Sequence, residues 1–244
     1  MKKSLYVTLS LFAVGVMVCG SACCFAEGLD KLDSKESGLL GFWKLNDAEG
    51  MTAKDFSGNG RNATLKGGVT WDKKDGAASF DGGSGQMDTG YNFPELADQL
   101  TISIWVKPGE TQTSYADILG NHADGYTGFV VQQDGDNANV YGFSFGDGSA
   151  WQAVGNVTLV ANKWQHLVIT YNGKEAAMYI DGTKSASKPV GGKIVKTEGM
   201  NVCIGLGYIG GGRFFKGLIK NVRIYSKCLA ENEIGLLDSG KEKK

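Results

Sequence analysis

The stretch WQHLVITYNGKEAAMYIDG, residues 164–182, decides the fold. Trp164 to Tyr171 is rich in bulky and β-branched residues, Ala176 to Ile180 is a second apolar run, and Asn172-Gly173 stands between them. That dipeptide suits the two positive φ angles of a type I′ turn, whose twist matches the flanking strands. Asp181-Gly182 marks the next reversal. Leu167, Ile169 and Tyr171 point to one face of the first strand, Val168 and Thr170 to the other. Neither face is strongly polar, so the hairpin is expected inside a larger sheet, as scaffold.

The same grammar extends along the chain. From Leu39 onward, short apolar runs alternate with glycine-rich turns, and 37 glycines against three prolines suit many tight reversals. Strand candidates are 39–45, 77–80, 100–107, 115–119, 128–133, 140–145, 152–154 and 157–159. The series continues with 164–171, 176–180, 201–206 and 217–225. Runs at this spacing predict a β-sandwich or barrel. Only 229–237, with Leu229, Glu233 and Leu237 four apart, predicts a short helical turn. No internal repeat or interdomain linker is visible.

The first 26 residues have the pattern of a signal peptide. Lys2 and Lys3 precede an apolar segment over 5–18, and small residues lead to Cys24-Phe25-Ala26, a cleavage site just before Glu27. The apolar stretch is short for a membrane span. Cys23 and Cys24 leave a lipid-anchored variant as the alternative, although the residues before them fit a lipid-attachment box poorly; a membrane partner is expected only in that case. Residues 27–37, EGLDKLDSKES, read as a mobile leader, 38–237 as one domain and 238–244 as a polar tail. Removing 1–26 takes away two lysines and no acidic residue, so the net charge of −1 becomes −3. Such a mixed, mildly acidic surface has no basic stripe, which argues against a nucleic acid partner.

Five blocks then carry a resemblance. GLLGFWKLNDAEGMTAKDFSGNGRNATL (38–65), AASFDG (77–82), LTISIWVKP (100–108), the 164–182 hairpin and FKGLIKNVRIYSKCLAENEI (215–234) resemble, in order, laminin-G-like domains of the concanavalin A-like lectin/glucanase superfamily. The resemblance implies an all-β fold, a two-sheet antiparallel jelly-roll sandwich with one concave and one convex sheet, closed by a short C-terminal helical turn. It makes the hairpin two strands of the sandwich, present for the fold, so function must be sought elsewhere.

Catalysis finds little support. A retaining glycosidase needs two carboxyl groups roughly 5 Å apart, and residues two apart on a strand share a face. No strand candidate carries an alternating Glu/Asp pair; Glu231 and Glu233 fall in the helical segment, and Asp134 and Asp136 in a turn. His166 is expected to support its strand, and His122 reads as a loop residue. No GxSxG motif or cysteine–histidine cluster occurs in the mature chain, and no catalytic residue is assigned.

Calcium is the one cofactor the sequence leaves room for. In DFSGNGRNATL (55–65), Asp55, Ser57 and Asn59 alternate oxygen-bearing side chains, and Asp47 stands upstream. This spacing suits either a cation that takes six to eight oxygens or, the reading placed first, a tight loop braced by side-chain-to-backbone hydrogen bonds. The resemblance adds that relatives commonly carry an acidic calcium-binding residue where Lys220 stands; an ammonium there repels a divalent ion. Cys203 and Cys228 are the pair available for a disulfide in an exported chain. A hairpin turning at Gly210-Gly211 would set Cys203 near Leu218, which argues against the bond.

Sugar recognition needs an aromatic face and planar polar groups. Trp151 stands in GDGSAWQAVGN (146–156), among small and polar residues. Tyr126 follows HADG, and Tyr208, Arg213 and Phe214 fall in GLGYIGGGRFF (205–215). These five are the candidate ligand-binding residues, whereas Trp43, Trp105 and Trp164 lie in the family-like blocks and are expected in the core. The expectation is an exported, non-enzymatic recognition domain for a glycan, with an extracellular protein partner next and a glycoside hydrolase last.

Overall fold

The computed structural model describes residues 38–208 and 211–238. The expected signal segment 1–26 and leader 27–37 lie outside them. So does the expected tail, except Asp238, which belongs to the closing helix. Among the described residues the strands are β1 (Leu39–Trp43), β2 (Thr52–Ala53), β3 (Ala63–Lys66), β4 (Val69–Asp72), β5 (Ala77–Asp81), β6 (Gln86–Asp88), β7 (Leu100–Pro108) and β8 (Asp117–Gly120). They continue with β9 (Phe129–Asp134), β10 (Asn137–Gly146), β11 (Trp151–Thr158), β12 (Gln165–Tyr171), β13 (Glu175–Ile180), β14 (Thr183–Pro189), β15 (Cys203–Ile204) and β16 (Lys216–Tyr225), followed by helix α1 (Glu231–Asp238).

Two antiparallel sheets result. The first has the order β14-β13-β12-β7-β16-β5-β4, with β1 also pairing with β16; the second has the order β11-β10-β9-β8-β15-β6-β3-β2. This is the expected all-β sandwich of jelly-roll type. Between the sheets lies one large core, to which β12 gives Leu167, Ile169 and Tyr171, and β9 and β10 give Phe129, Val131, Phe143 and Phe145.

The opening hairpin occupies the middle of the first sheet. β12 lies between β7 and β13, and all seven of its residues are buried. Its other face is apolar for a visible reason. Val168 joins Leu39, Tyr179, Tyr225, Leu229, Ile234 and Leu237 in a second cluster, so the C-terminal segment and α1 cover the sheet from outside. Thr101 fastens that cover: its hydroxyl donates to the Lys227 carbonyl at 2.7 Å and accepts the Leu229 N–H at 2.9 Å. His166 braces its strand as expected, with Nε2 2.8 Å from Ser103 Oγ and its ring stacked on Trp105 at 5.1 Å.

Several expectations change. At Asn172-Gly173 only the glycine takes a positive φ, 85°. Asn172 Oδ1 instead accepts the N–H groups of Lys174 and Glu175, which makes a longer reversal. Asp181-Gly182 is the two-residue turn, with φ of 49° and 76°. The separate candidates 152–154 and 157–159 are one strand, β11, because the register shift opposite Tyr141 and Phe143 absorbs the break. Trp43 and Trp105 are buried, but Trp164 precedes its strand and is half-buried, with the Lys220 ammonium 4.7 Å from its ring centre.

β15 and β16 do not pair, as the hairpin expected around Gly210-Gly211 would require. β15 pairs with β6 and β8 in the second sheet, whereas β16 lies in the first, so the chain crosses between sheets. Gly205 permits the crossing: at φ 83°, an added Cβ would come within 2.4 Å of the Phe80 ring. Cys203 and Cys228 are both free thiols, so no disulfide joins them. Burial and the Asp88 carboxylate push the Cys203 thiol up to about 12, which keeps it protonated and inert.

The outer cover should matter energetically. Ile234→Ala removes a fully buried side chain from the second cluster and is expected to cost about 2–5 kcal/mol in urea unfolding. A loss below about 1 kcal/mol would show that α1 is not part of the cooperative unit.

Candidate functional site

The Asp55 loop is a structural latch. Asp55 Oδ1 accepts the N–H groups of Phe42 (3.1 Å) and Ser57 (2.8 Å), and Oδ2 accepts the Ser57 hydroxyl (2.9 Å) and the Arg61 N–H (2.8 Å). Asn59 Nδ2 and Arg61 donate to carbonyls of the first strand, and Trp43 Nε1 donates to the Arg61 carbonyl. Donors on both Asp55 oxygens therefore face the lone pairs a cation would need. Asp47 Oδ1 accepts the Lys54 N–H at 3.3 Å. Among the described residues no group of three or more His, Cys, Asp or Glu side chains is arranged to hold a metal.

The chemistry gathers on the outer face of the second sheet. Alternation puts Phe129 and Val131 of β9 into the core, which turns Val130 and Gln132 outward. Ser144 projects outward between the core residues Phe143 and Phe145, and it pairs with Val130 on one side and Ala153 on the other. Val130, Gln132 and Ser144 floor a cavity of about 280 Å3. Its walls include His122, Asp124, Trp151, Tyr208 and Arg213.

The walls are a connected set of planes. Trp151, 36% exposed, meets His122 edge-on at 5.6 Å and Tyr126 at 6.4 Å. His122 lies 5.3 Å from the Tyr208 ring, and the Arg213 guanidinium lies 5.0 Å from the same ring. The Tyr126 loop rests on the turn after β10, where Gly146 N–H donates to the Gly128 carbonyl and Gly148 N–H to the Tyr126 carbonyl. Gly146 is required there, since an added Cβ would sit 2.0 Å from the Tyr126 backbone. Asp147 stiffens the turn. The Ser149 hydroxyl and the N–H groups of Ser149 and Ala150, with the Gln152 amide, hold its carboxyl well below the usual range.

Beneath the cavity is a fully buried carboxylate, Asp117. Its Oδ1 accepts Gln132 Nε2 at 2.8 Å, and Oδ2 accepts the N–H groups of Gly207 (3.0 Å) and Tyr208 (3.1 Å). One side chain thus ties β8, β9 and the chain after β15 into the cavity wall. His122 Nε2 lies 3.5 Å from Asp117 Oδ2, is buried, and makes no hydrogen bond with the described residues.

Of the five candidate ligand residues, Trp151, Tyr208 and Arg213 line the cavity and Tyr126 touches Trp151 at its edge. Phe214 is not part of it; its backbone bridges to Asp117 and its carbonyl accepts the Thr113 hydroxyl. Sequence reasoning missed His122, Asp117, Asp124, Gln132 and Ser144. Only the outward position of Gln132 in FVVQQD carried a signal, because the others meet through strand order.

Comparison with known proteins agrees with the fold. A family model described as the concanavalin A-like lectin/glucanases superfamily, of laminin-G type, matches residues 81–235. The chain belongs to that family. It is similar to adhesion G-protein coupled receptor V1 of Danio rerio, at 27% identity over 158 residues; these are 62% of this chain but 2% of the receptor. Among solved structures it is similar to domain 4 of AbnA, a GH43 extracellular arabinanase of Geobacillus stearothermophilus in complex with arabinotriose. That likeness has TM-score 0.65 and 21% identity, covering 82% of this chain and 98% of that one. It is also similar to botulinum neurotoxin type C, in a structure concerned with its interaction with two ganglioside molecules. There the TM-score is 0.67 and the identity 15%, covering 88% of this chain and 53% of the other. At these identities the solved structures establish the fold alone.

The latch makes a direct prediction. Asp55→Ala strands the donors that now converge on one carboxylate and should cost on the order of 3 kcal/mol. The melting temperature of the unaltered protein should not move in millimolar calcium. A rise of several degrees with calcium but not magnesium would show a metal site.

Proposed function

We propose that the protein is an exported, non-enzymatic carbohydrate-recognition domain whose binding site is the cavity on the outer face of the second sheet. The observation that carries the reading is the meeting of Trp151, Tyr208 and Arg213 with His122, Asp124 and Gln132 around one cavity. An exposed indole offers a flat apolar surface to the C–H face of a sugar ring. Arg213, Asp124 and Gln132 offer planar donors and acceptors suited to pairs of vicinal hydroxyls. At about 280 Å3 the cavity is small, near the lower limit of ligand pockets, a fit for one sugar unit held at its floor.

Binding rather than hydrolysis is favoured by the carboxylates. Both oxygens of Asp117 are occupied by Gln132, Gly207 and Tyr208. Asp124 is then the one carboxylate among the described residues that line the cavity, and two-carboxylate glycosidase chemistry needs a pair. Export rests on the basic start and apolar segment of residues 1–26. Likeness to a solved arabinanase domain with arabinotriose and to a ganglioside-interacting toxin supports a glycan ligand.

A glycan array followed by titration calorimetry tests the reading. Trp151→Ala is expected to weaken glycan binding by about 1–3 kcal/mol while leaving the unfolding midpoint nearly unchanged, because the ring is partly exposed. Loss of a core ring would instead cost about 3–5 kcal/mol. A large stability loss with unchanged binding, or no glycan bound at all, would overturn the reading.

A further inference from the structure

Beyond the cavity, Arg213 reaches a second aromatic platform. Tyr115 is 49% exposed and holds a left-handed backbone, φ 62°, a conformation that is costly for a bulky residue. The position is well braced. Its N–H donates to Gln133 Oε1 at 2.8 Å, and its ring lies over Gly135, where an added Cβ would come within 2.5 Å of the ring. Tyr126, at the edge of the cavity, is also exposed and also left-handed, φ 59°. Strained backbone that holds an exposed ring in place is a reason to look for function there.

Arg213 joins the platform to the cavity. Its guanidinium lies 5.4 Å from the Tyr115 ring and 5.0 Å from the Tyr208 ring, and it makes no ion pair among the described residues. Contacts of 5.3 Å from Tyr208 to His122 and 5.6 Å from His122 to Trp151 complete an unbroken series of planes. The series runs along β9. Tyr115 stands beside Gln133 and Gly135, whereas Trp151 pairs with Gly146, next to the Phe145–Phe129 pair. From Phe129 to Gly135 the strand advances about 20 Å, far more than one sugar ring needs. Tyr115, Tyr126 and Trp151 are three of the six exposed large hydrophobic side chains; Tyr126 touches Trp151 at the cavity, and Tyr115 is joined to it through Arg213.

We infer that the site accepts an internal stretch of a linear oligosaccharide, with Trp151 under one unit, Tyr115 under another several units away, and Arg213 bonding hydroxyls between them. This rests on the carbohydrate reading and adds the shape of the ligand. A single terminal sugar would use the Trp151 cavity and leave Tyr115, its braced backbone and the far face of Arg213 without a role.

Titration calorimetry with arabino-, xylo- and cello-oligosaccharides of one to six units separates the possibilities. For a series that binds, affinity should rise with each unit through the third or fourth and then level off. Tyr115→Ala should weaken the longer oligosaccharides by about five- to tenfold and leave mono- and disaccharides unchanged. Tyr115→Phe should keep the full affinity, and Trp151→Ala should weaken every length. Thermal melting of each variant checks that the fold is retained. Affinity that levels off at the monosaccharide, or Tyr115→Ala that matches the unaltered protein at all lengths, would overturn the extended site and leave the cavity reading standing. Failure of every series to bind would overturn both.

Discussion

Phe143 and Phe145 point into the core of this sandwich, and Ser144 between them points to solvent. A strand gives every second side chain to each face, and the second sheet uses that constraint twice. Its inner face, with Phe129, Val131, Tyr141, Phe143 and Phe145, closes the core against the first sheet. Its outer face is thereby left with Val130, Gln132 and Ser144, none as bulky as the rings that wall the cavity. The cavity is the consequence. Any one-residue slip of β10 against β9 would turn phenylalanines outward and bury the site.

Asp117 holds the walls to this floor. A fully buried carboxylate is costly unless it is hydrogen-bonded, and here Gln132, Gly207 and Tyr208 supply donors to both oxygens. The cost of burial is thus turned into position. Gln132 is oriented on the floor, and the chain leaving β15 is drawn up so that Tyr208 and Arg213 stand over the cavity. Asp55 acts in the same way for the first strand, with Phe42, Ser57 and Arg61 as the donors. The two carboxylates differ only in what surrounds the loop they fix.

The scaffold was legible where strands are long and apolar. β12 is apolar on both faces because α1 covers the face that the core does not, and its sequence shows it. β14, TKSASKP, is an exposed edge strand with no apolar pattern, and β3, β4 and β6 are three or four residues long, so hydrophobic periodicity could not reveal them. Trp151 stood out because glycine, serine and alanine surround it, and Tyr126, Tyr208 and Arg213 because glycine-rich loops carry them. His122 and Asp117 were not legible, since their meeting with residues near 208 depends on β15 joining β8. Sequence spacing inside one chain segment holds no trace of that pairing. Phe214 was misplaced for a related reason: the loop crosses between sheets, and neighbouring residues in it face different surroundings.

The five tryptophans provide the most direct measurement, because each indole N–H gives its own signal in a nitrogen-edited NMR spectrum. Trp43 and Trp71 donate to the carbonyls of Arg61 and Gly50, Trp105 is buried, and Trp164 lies under Lys220. Titration with an oligosaccharide that binds should shift the Trp151 indole signal and leave these four in place. A shift confined to Trp71 or Trp164, with Trp151 silent at saturation, would put the ligand on another surface and contradict the account.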